Sequence, residues 1–460
     1  MRIAPTLLAM TTALAVGSSA SEAAVLHVNA PNDGPGDCVT PGASCTLREA
    51  LLEAKVSSPG DPDTIHLGPG VHVNEAQDFI VGIGEQVTIV GAGARQTGVR
   101  ELSGGDGRVF LVEQDASLTL SDLSVSGSHD NSGVLLFGGD NALRATRVTF
   151  AGNSALTRGG AIDGSGGAVE LADSTLTGNT AAGFGGMPGE GGAIFSGGPA
   201  GSLKLSNVTV AGNTAASGSG IHVAAGPAEL RSVTLADDLF TGPAAAAVSV
   251  AGSILGSCAG QAPASGGFNL EPGTTCALGA PGDRPGQDPL LAALADNGGP
   301  TDTRAPAAGS PAIDAVTPCL GGADQRGVAR PQGSACDIGA FEAAAVPASR
   351  VVPRISRLSI APKVLRSGPR AKRRGARVRY RLNVAAKVRF RVERRAKRGR
   401  WVRMRGSLTR SGRRGANSLR LRARIGGRPL RAGSQRLVAT PRSEGATGRP
   451  ARVRFRVTRG

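Results

Sequence analysis

Aromatic residues other than phenylalanine are nearly missing from this chain. Its 460 residues include one Trp and one Tyr, Trp401 and Tyr380, and residues 24–342 hold nine Phe but neither of the other two. Deep sugar clefts usually stack their ligand on Trp or Tyr, so such a cleft is disfavoured in that stretch. Metal-binding patterns are also lacking. His27, His66, His72, His129 and His222 are scattered, and no C-x-x-C accompanies them, so no metal or other cofactor is expected. After the run Leu7–Val16, no apolar segment is long enough to cross a bilayer as a helix.

That one run follows Arg2 and precedes small residues up to Ala23, which reads as a secretory signal over residues 1–23. The mature protein is expected to be secreted or extracellular, soluble or associated with the cell wall. Six Cys suit an oxidising compartment. Six allow 15 connectivities, and short separations favour Cys38 with Cys45, Cys258 with Cys276, and Cys319 with Cys336.

Acidic residues are missing from one end. Residues 343–460 carry 37 Lys and Arg against 2 Asp and Glu, a net +35, whereas residues 24–342 carry 14 against 32, a net −18. An acidic body joined to a very basic tail marks a domain boundary and points to a polyanionic partner.

What is abundant is a repeated phrase. Val148-Thr149-Phe150-Ala151-Gly152-Asn153, Thr175-Leu176-Thr177-Gly178-Asn179 and Val208-Thr209-Val210-Ala211-Gly212-Asn213 are near-copies, with Asn-to-Asn intervals of 26 and 34 residues. Weaker copies begin at Leu123 and Val233. The longer interval contains an insertion, Gly183–Glu190. A second signature, Gly-Gly-Ala-Ile, occurs at Gly159–Ile162 and Gly191–Ile194, with a degenerate form at Gly218–Ile221, and marks a second strand per unit. Short β-branched runs between Gly, Asn and Ser are strands and turns, and a period in the twenties means one unit stacked many times. The pattern predicts an all-β fold, a right-handed parallel β-helix. Residues 60–290 are expected to form roughly nine or ten coils, with Val148, Phe150, Leu176, Val208 and Val210 inside. Asn153, Asn179 and Asn213 are read as a structural amide ladder at a repeated corner.

Composition divides the remainder. Residues 24–60 form an N-terminal cap, whose segment Cys45–Ala54 has apolar residues at helical spacing behind Thr46 as N-cap, a short helix suited to closing the open end of the stack. Residues 61–258 form the parallel β-helix, 259–342 a Cys/Pro/Gly-rich C-terminal cap, and 343–354 a linker. In 355–460 apolar residues alternate with Arg, as in Val378-Arg379-Tyr380-Arg381-Leu382 and Val388-Arg389-Phe390-Arg391-Val392. Period-two alternation predicts half-buried antiparallel strands, here a small antiparallel β-sandwich with guanidinium rows on one sheet face. Arg379, Arg381, Arg389 and Arg391 are the candidate polyanion-binding residues, and Tyr380 and Trp401 are expected in the core.

Several motifs in residues 25–342 resemble those of known exported proteins. Cys45–Leu51, Asp63-Thr64-Ile65 and Val87–Gly93 look like the N-terminal cap of bacterial secreted parallel β-helix proteins. Asp296–Thr301, Gly309–Asp314, Asp324–Gly327 and Cys336–Glu342 closely resemble the choice-of-anchor Q family, and the repeats are similar to those of chlamydial polymorphic outer-membrane proteins. The resemblance implies an exported β-helix protein held at the cell surface. The chain has no LPxTG-type signal, terminal apolar helix or barrel-like end, and the basic domain stands in that place.

Parallel β-helices also host polysaccharide lyases and hydrolases. Asp237-Asp238 is the only adjacent carboxylate pair in the repeats, without the Gly-His-Gly and Arg-x-Lys elements of polygalacturonases, and reads as a solvated turn. Asp163, Asp173, Glu190 and Arg158 are candidates for calcium-dependent lyase chemistry by position. The preferred reading is a non-enzymatic adhesion, matrix or polysaccharide-binding protein whose partner is an anionic envelope or extracellular polysaccharide. The alternative is a pectate-lyase-like lyase or hydrolase. Nucleic acid is disfavoured for an exported chain without aromatic interleaving.

Overall fold

The computed structural model describes residues 23–57, 62–75, 77–102, 107–198, 200–344, 352–367, 375–396, 399–443 and 446–459. Apart from Ala23, the expected signal lies outside them, as does most of the expected linker. The chain divides into two compact units, residues 1–345 and 346–460.

Among the described residues of the first unit the strands pair in parallel with strands one turn of chain away. A first column runs through Val25–Val28, Asp63–Leu67, Gln86–Val90, Ser117–Ser121, Asn141–Thr146, Gly167–Ala172 and Ser202–Ser206. It continues through the ends of Ile221–Arg231 and Thr234–Ala251 to Ala264–Ser265, ten rungs in all. At about 4.8 Å per rung the column is about 43 Å long. A second column contains Ser124–Ser126, Thr149–Ala151, Thr175–Thr177 and Thr209–Ala211. A third contains Val134–Leu136, Ile162–Gly164 and Ile194–Ser196. The Gly-Gly-Ala-Ile signature leads into this third column. Its second glycine is obligatory: a Cβ on Gly160 would lie 2.3 Å from the Gly192 carbonyl oxygen of the next coil.

Alternation in each strand puts one face inside. Leu118, Leu143, Val169 and Leu203 are register partners in successive coils and all are buried, as are Val148, Phe150, Leu176, Val208 and Val210. Burying one such side chain contributes about 1.5–3 kcal/mol. The first and second columns meet at a short corner whose first residue is left-handed. Asp122, Arg147, Asp173, Asn207 and Ser232 occupy that position in turn, each with φ of 51–57°. Asp and Asn tolerate that conformation best among non-glycine residues.

The open end is closed by the helix Leu47–Ser57, with Thr46 Oγ1 accepting from the Glu49 amide at 3.3 Å. Leu47, Ala50, Leu51 and Ala54 are buried and belong to the same core as the strands. Disulfides join Cys38–Cys45, Cys258–Cys276 and Cys319–Cys336. Among the described residues no helix is long and apolar enough to cross a membrane.

The Cys/Pro/Gly-rich segment differs from the cap expected over 259–342. Ala264–Ser265, Leu270–Glu271 and Arg284–Pro285 still add rungs, too short to leave a period in the sequence. Residues 287–344 then turn back along the outer side of the second column. The Ala340 amide donates to Thr234 Oγ1 at 2.9 Å, Gln325 bonds Thr209 at 2.6 Å and Thr175 at 2.8 Å, and Arg95 reaches Asp302 at 2.6 Å. The segment is a strap along the stack. Its polar knot is buried: Arg330 pairs Glu342 at 3.1 Å, Arg326 pairs Asp324 at 2.6 Å, and Asp337 accepts from the Asp314 and Ala343 amides.

The second unit contains two main sheets. Ile355–Ala361, Ala376–Leu382 and Gly415–Leu421 form one, antiparallel throughout. The other joins Val364–Ser367, Ala451–Arg459, Gly433–Ser443 and Ala386–Arg395, with Trp401–Arg403 and Leu408–Gly412 also paired to the last of these. One pairing, Val364–Ser367 with Ala451–Arg459, is parallel. The apolar faces share one core, in which Tyr380 and Phe390 meet with ring centroids 5.5 Å apart.

Candidate functional site

The repeated Asn side chains stack in one line inside the corner between the second and third columns. Asn153 Nδ2 donates to Asn179 Oδ1 at 3.0 Å, and Asn179 Nδ2 to Asn213 Oδ1 at 2.9 Å. Each also donates to a backbone carbonyl, of Val125, Phe150 and Leu176 respectively. Asp237 ends the line, its Oδ2 accepting from Asn213 Nδ2 at 2.7 Å and from the Asn213 amide at 2.9 Å. Asp237 is therefore a ladder terminus, not the residue of a solvated turn. Beside it Asp238 is exposed and hydrogen-bonded to Ser219 and Ser257.

The other carboxylates lie apart. Asp163 sits on the outer face of the third column but is buried, and burial raises its pKa against the opposing effect of Arg158 and Ser165. Arg158 Nε is 3.8 Å from its carboxylate, and the guanidinium lies 4.8 Å over the Phe195 ring. Phe195, His222 and Phe240 follow Asp163 in register on the next three rungs, their rings in contact. Glu190 forms a bridge beside Arg158, and burial lowers the His222 pKa. Asp173 is a corner residue, its carboxylate bonded to Asn207 at 3.2 Å, its pKa raised by burial. Arg158 and Asp163 are thus brought together, while Asp173, Asp237 and Asp238 are not. Asp163 and Asp238 stand three rungs apart along the stack, about 14 Å. Glycosidase carboxylates stand about 5–9.5 Å apart, so these two do not form such a pair. Among the described residues no group of His, Cys, Asp and Glu is arranged to hold a metal.

In the second unit the alternation Ala376–Leu382 buries Val378, Tyr380 and Leu382 and exposes Arg377, Arg379 and Arg381. The neighbouring strands place small residues beside the arginines: Arg379 lies between Ser359 and Ser418, Arg381 between Ser356 and Ala416. The result is an open groove of about 650 Å³, lined by Arg357, Arg379, Arg381, Arg413, Ser359 and Ser418 among others. Arg357 enters it from an irregularity in the strand register and has a φ of 53°. Arg413 is fixed by Asn417, which accepts from its amide at 3.0 Å and donates to its carbonyl at 2.8 Å. Among the described residues none of these four arginines has an ion-pair partner.

Arg389 and Arg391 lie elsewhere. They alternate with Val388, Phe390 and Val392 on the other sheet, facing away from the same core. The expected single guanidinium face is therefore two faces, because adjacent strands of the sequence belong to different sheets. Burial, then Arg389, Arg403 and Arg442, hold the Arg391 pKa below the ordinary guanidinium value, and its Nε is buried without a hydrogen-bond partner. Trp401 is also on this face and not in the core. Its ring lies under Arg436 at 4.6 Å and Arg454 at 6.0 Å. Arg357 and Arg413 escaped the sequence reading because neither sits in an alternating run. Arg403 joins the second face from the next strand, which pairs back on Ala386–Arg395 after five residues, and Arg442 joins it through pairing of a distant strand.

No protein-family model matches the chain, and no curated protein does. Among solved structures, ORF18 of Geobacillus virus E2 is similar over 49% of this chain and 55% of its own length, at 13% identity and a TM-score of 0.19, a likeness too small to carry an argument.

Proposed function

We propose that the chain is an exported, non-enzymatic cell-surface or secreted protein of the choice-of-anchor Q kind. Its first unit is a right-handed parallel β-helix that displays loops for adhesion or matrix contact. Its second, a small β-sandwich, attaches to anionic envelope or extracellular polysaccharide. One observation carries the attachment. Of 37 basic residues in 343–460, 33 are Arg, and among the described residues of this unit only Arg436 has an ion-pair partner, Glu393. Open sheet faces of unpaired guanidinium groups suit carboxylate and phosphate, since the fork is planar and always charged.

The motifs that resemble the choice-of-anchor Q family fall on the strap, where their polar residues are hydrogen-bonded within the knot or to the coils. That supports a structural reading of those motifs over a catalytic one. The enzymatic alternative keeps one supporting contact, Arg158 with Asp163. Release of unsaturated or reducing products from polygalacturonate, abolished by Asp163→Ala, would establish it in place of our reading.

The test of attachment uses salt. The full chain should sediment with isolated cell walls at low ionic strength and elute as salt rises, because the Debye length shrinks from about 10 Å at 0.1 M to about 3 Å at 1 M. A protein ending at residue 345 should stay in the supernatant. Equal retention of both forms would refute the assignment.

A further inference from the structure

The two arginine faces of the second unit point in opposite directions, and this has a consequence for polymers. Tyr380 and Phe390 meet in the shared core, while their strand neighbours Arg379 and Arg381, and Arg389 and Arg391, face outward from opposite sheets. We propose that the unit binds one polyanionic chain on each face and so cross-links anionic polysaccharide. The inference rests on the attachment reading above, but it adds valence and geometry.

Each face is equipped separately. The first is a groove in which four arginines stand among serine hydroxyls, without ion-pair partners among the described residues. A strained, left-handed Arg357 is held there by an irregular strand, a position more costly than an extended one. The second face gathers Arg389, Arg403 and Arg442 around Arg391, whose charge is disfavoured first by burial and then by these neighbours, and its Nε is buried without a hydrogen-bond partner. An anion there relieves the repulsion among these guanidinium groups. Only one acidic side chain, Glu393, lies among the described residues of the unit; it stands on the second face between Arg403 and Arg436 in register and is paired with Arg436, which leaves the face strongly basic. Packed sheets stand about 10 Å apart, and the Debye length at 0.1 M is about 10 Å. Two polymer chains on the two faces are thus separated by at least the core and largely screened from one another.

The experiment uses the full chain with polygalacturonate as the probe. Calorimetry with a short oligogalacturonate should give two ligands per chain for the wild type. It should give one for Arg379→Gln/Arg381→Gln and one for Arg389→Gln/Arg391→Gln. With long polygalacturonate, light scattering against protein concentration should rise to a maximum and fall again for the wild type, and stay flat for both variants. Circular dichroism and thermal midpoints check that the variants fold. Unspecific condensation by bulk charge would survive the loss of two positive charges, so undiminished scattering from either double variant overturns the proposal. So does a wild type that binds two oligomers yet never scatters, which means one polymer wraps both faces. In either case attachment stands. If the wild type binds no oligomer, the attachment reading fails together with the inference.

Discussion

Replacing Asn179 by Ala removes the middle rung of the amide ladder. The side chain is fully buried and makes four hydrogen bonds of its own. Its Oδ1 accepts from the Asn153 amide at 3.1 Å and from Asn153 Nδ2 at 3.0 Å, and its Nδ2 donates to the Phe150 carbonyl at 3.1 Å and to Asn213 Oδ1 at 2.9 Å. The Asn213 oxygen keeps one donor, the Asn179 amide, which the substitution leaves in place. Three buried groups then lose a partner: the Asn153 amide, one Asn153 Nδ2 proton and the Phe150 carbonyl. At about 1–3 kcal/mol for each stranded buried group, and with water entering the vacated space, the loss is about 3–5 kcal/mol. With a urea slope of about 3 kcal/mol per M, the unfolding midpoint should fall by roughly 1–1.7 M. Asn32→Ala, at an exposed site, is the control and should stay within about 0.5 kcal/mol of the wild type. A midpoint for Asn179→Ala indistinguishable from that of the control would refute the ladder as a source of stability.

Two further predictions concern the strap. Gln325 bonds Thr209, Thr175, Thr301 and the Asp302 carbonyl at once, so Gln325→Ala should speed proteolytic cleavage within 287–344 while far-ultraviolet circular dichroism stays unchanged; unaltered cleavage would count against the strap's docking through this residue. Burial pushes the Asp337 carboxyl up to about 6, from an ordinary 3.8. Its folded pKa is the higher one, so its contribution to stability is fully present below about 3.8 and is lost as pH rises through about 6. Carbon-detected titration of Asp337 should find a midpoint near that value, and a midpoint at the ordinary carboxyl value would refute the burial argument.

The parts of this fold that were legible in sequence are the parts that repeat. Asn153, Asn179 and Asn213 recur because each coil presents the same corner to the next, and Gly160 and Gly192 recur because each backbone passes close to its neighbour. The Thr46 cap and the face Leu47, Ala50, Leu51 and Ala54 were legible for a different reason: a helix is encoded within a dozen neighbouring residues. The corner between the first and second columns was hidden. Asp122, Arg147, Asp173, Asn207 and Ser232 share a backbone conformation but not a side-chain type, so no repeated letter marks them. This is also why Asp173 looked chemically available: its carboxylate is half of a corner contact with Asn207.

The strap and the arginine faces were hidden by distance. Gln325 meets Thr175 across 150 residues, and nothing near either residue announces the other. In the basic unit, alternation states which side of a strand an arginine occupies and says nothing about which sheet the strand joins. Ala376–Leu382 and Ala386–Arg395 are separated by three residues, a spacing that also suits a hairpin in one sheet. The chain instead crosses from one sheet to the other, and each strand finds its partners elsewhere: Ala376–Leu382 pairs Gly415–Leu421, and Ala386–Arg395 pairs Gly433–Ser443. Pairing partners therefore decide whether the arginines add to one strong face or divide between two. Because they divide, Arg379 and Arg389 cannot face one stretch of straight polymer together, and under the proposed attachment any cooperation between them would have to pass through the polymer chains.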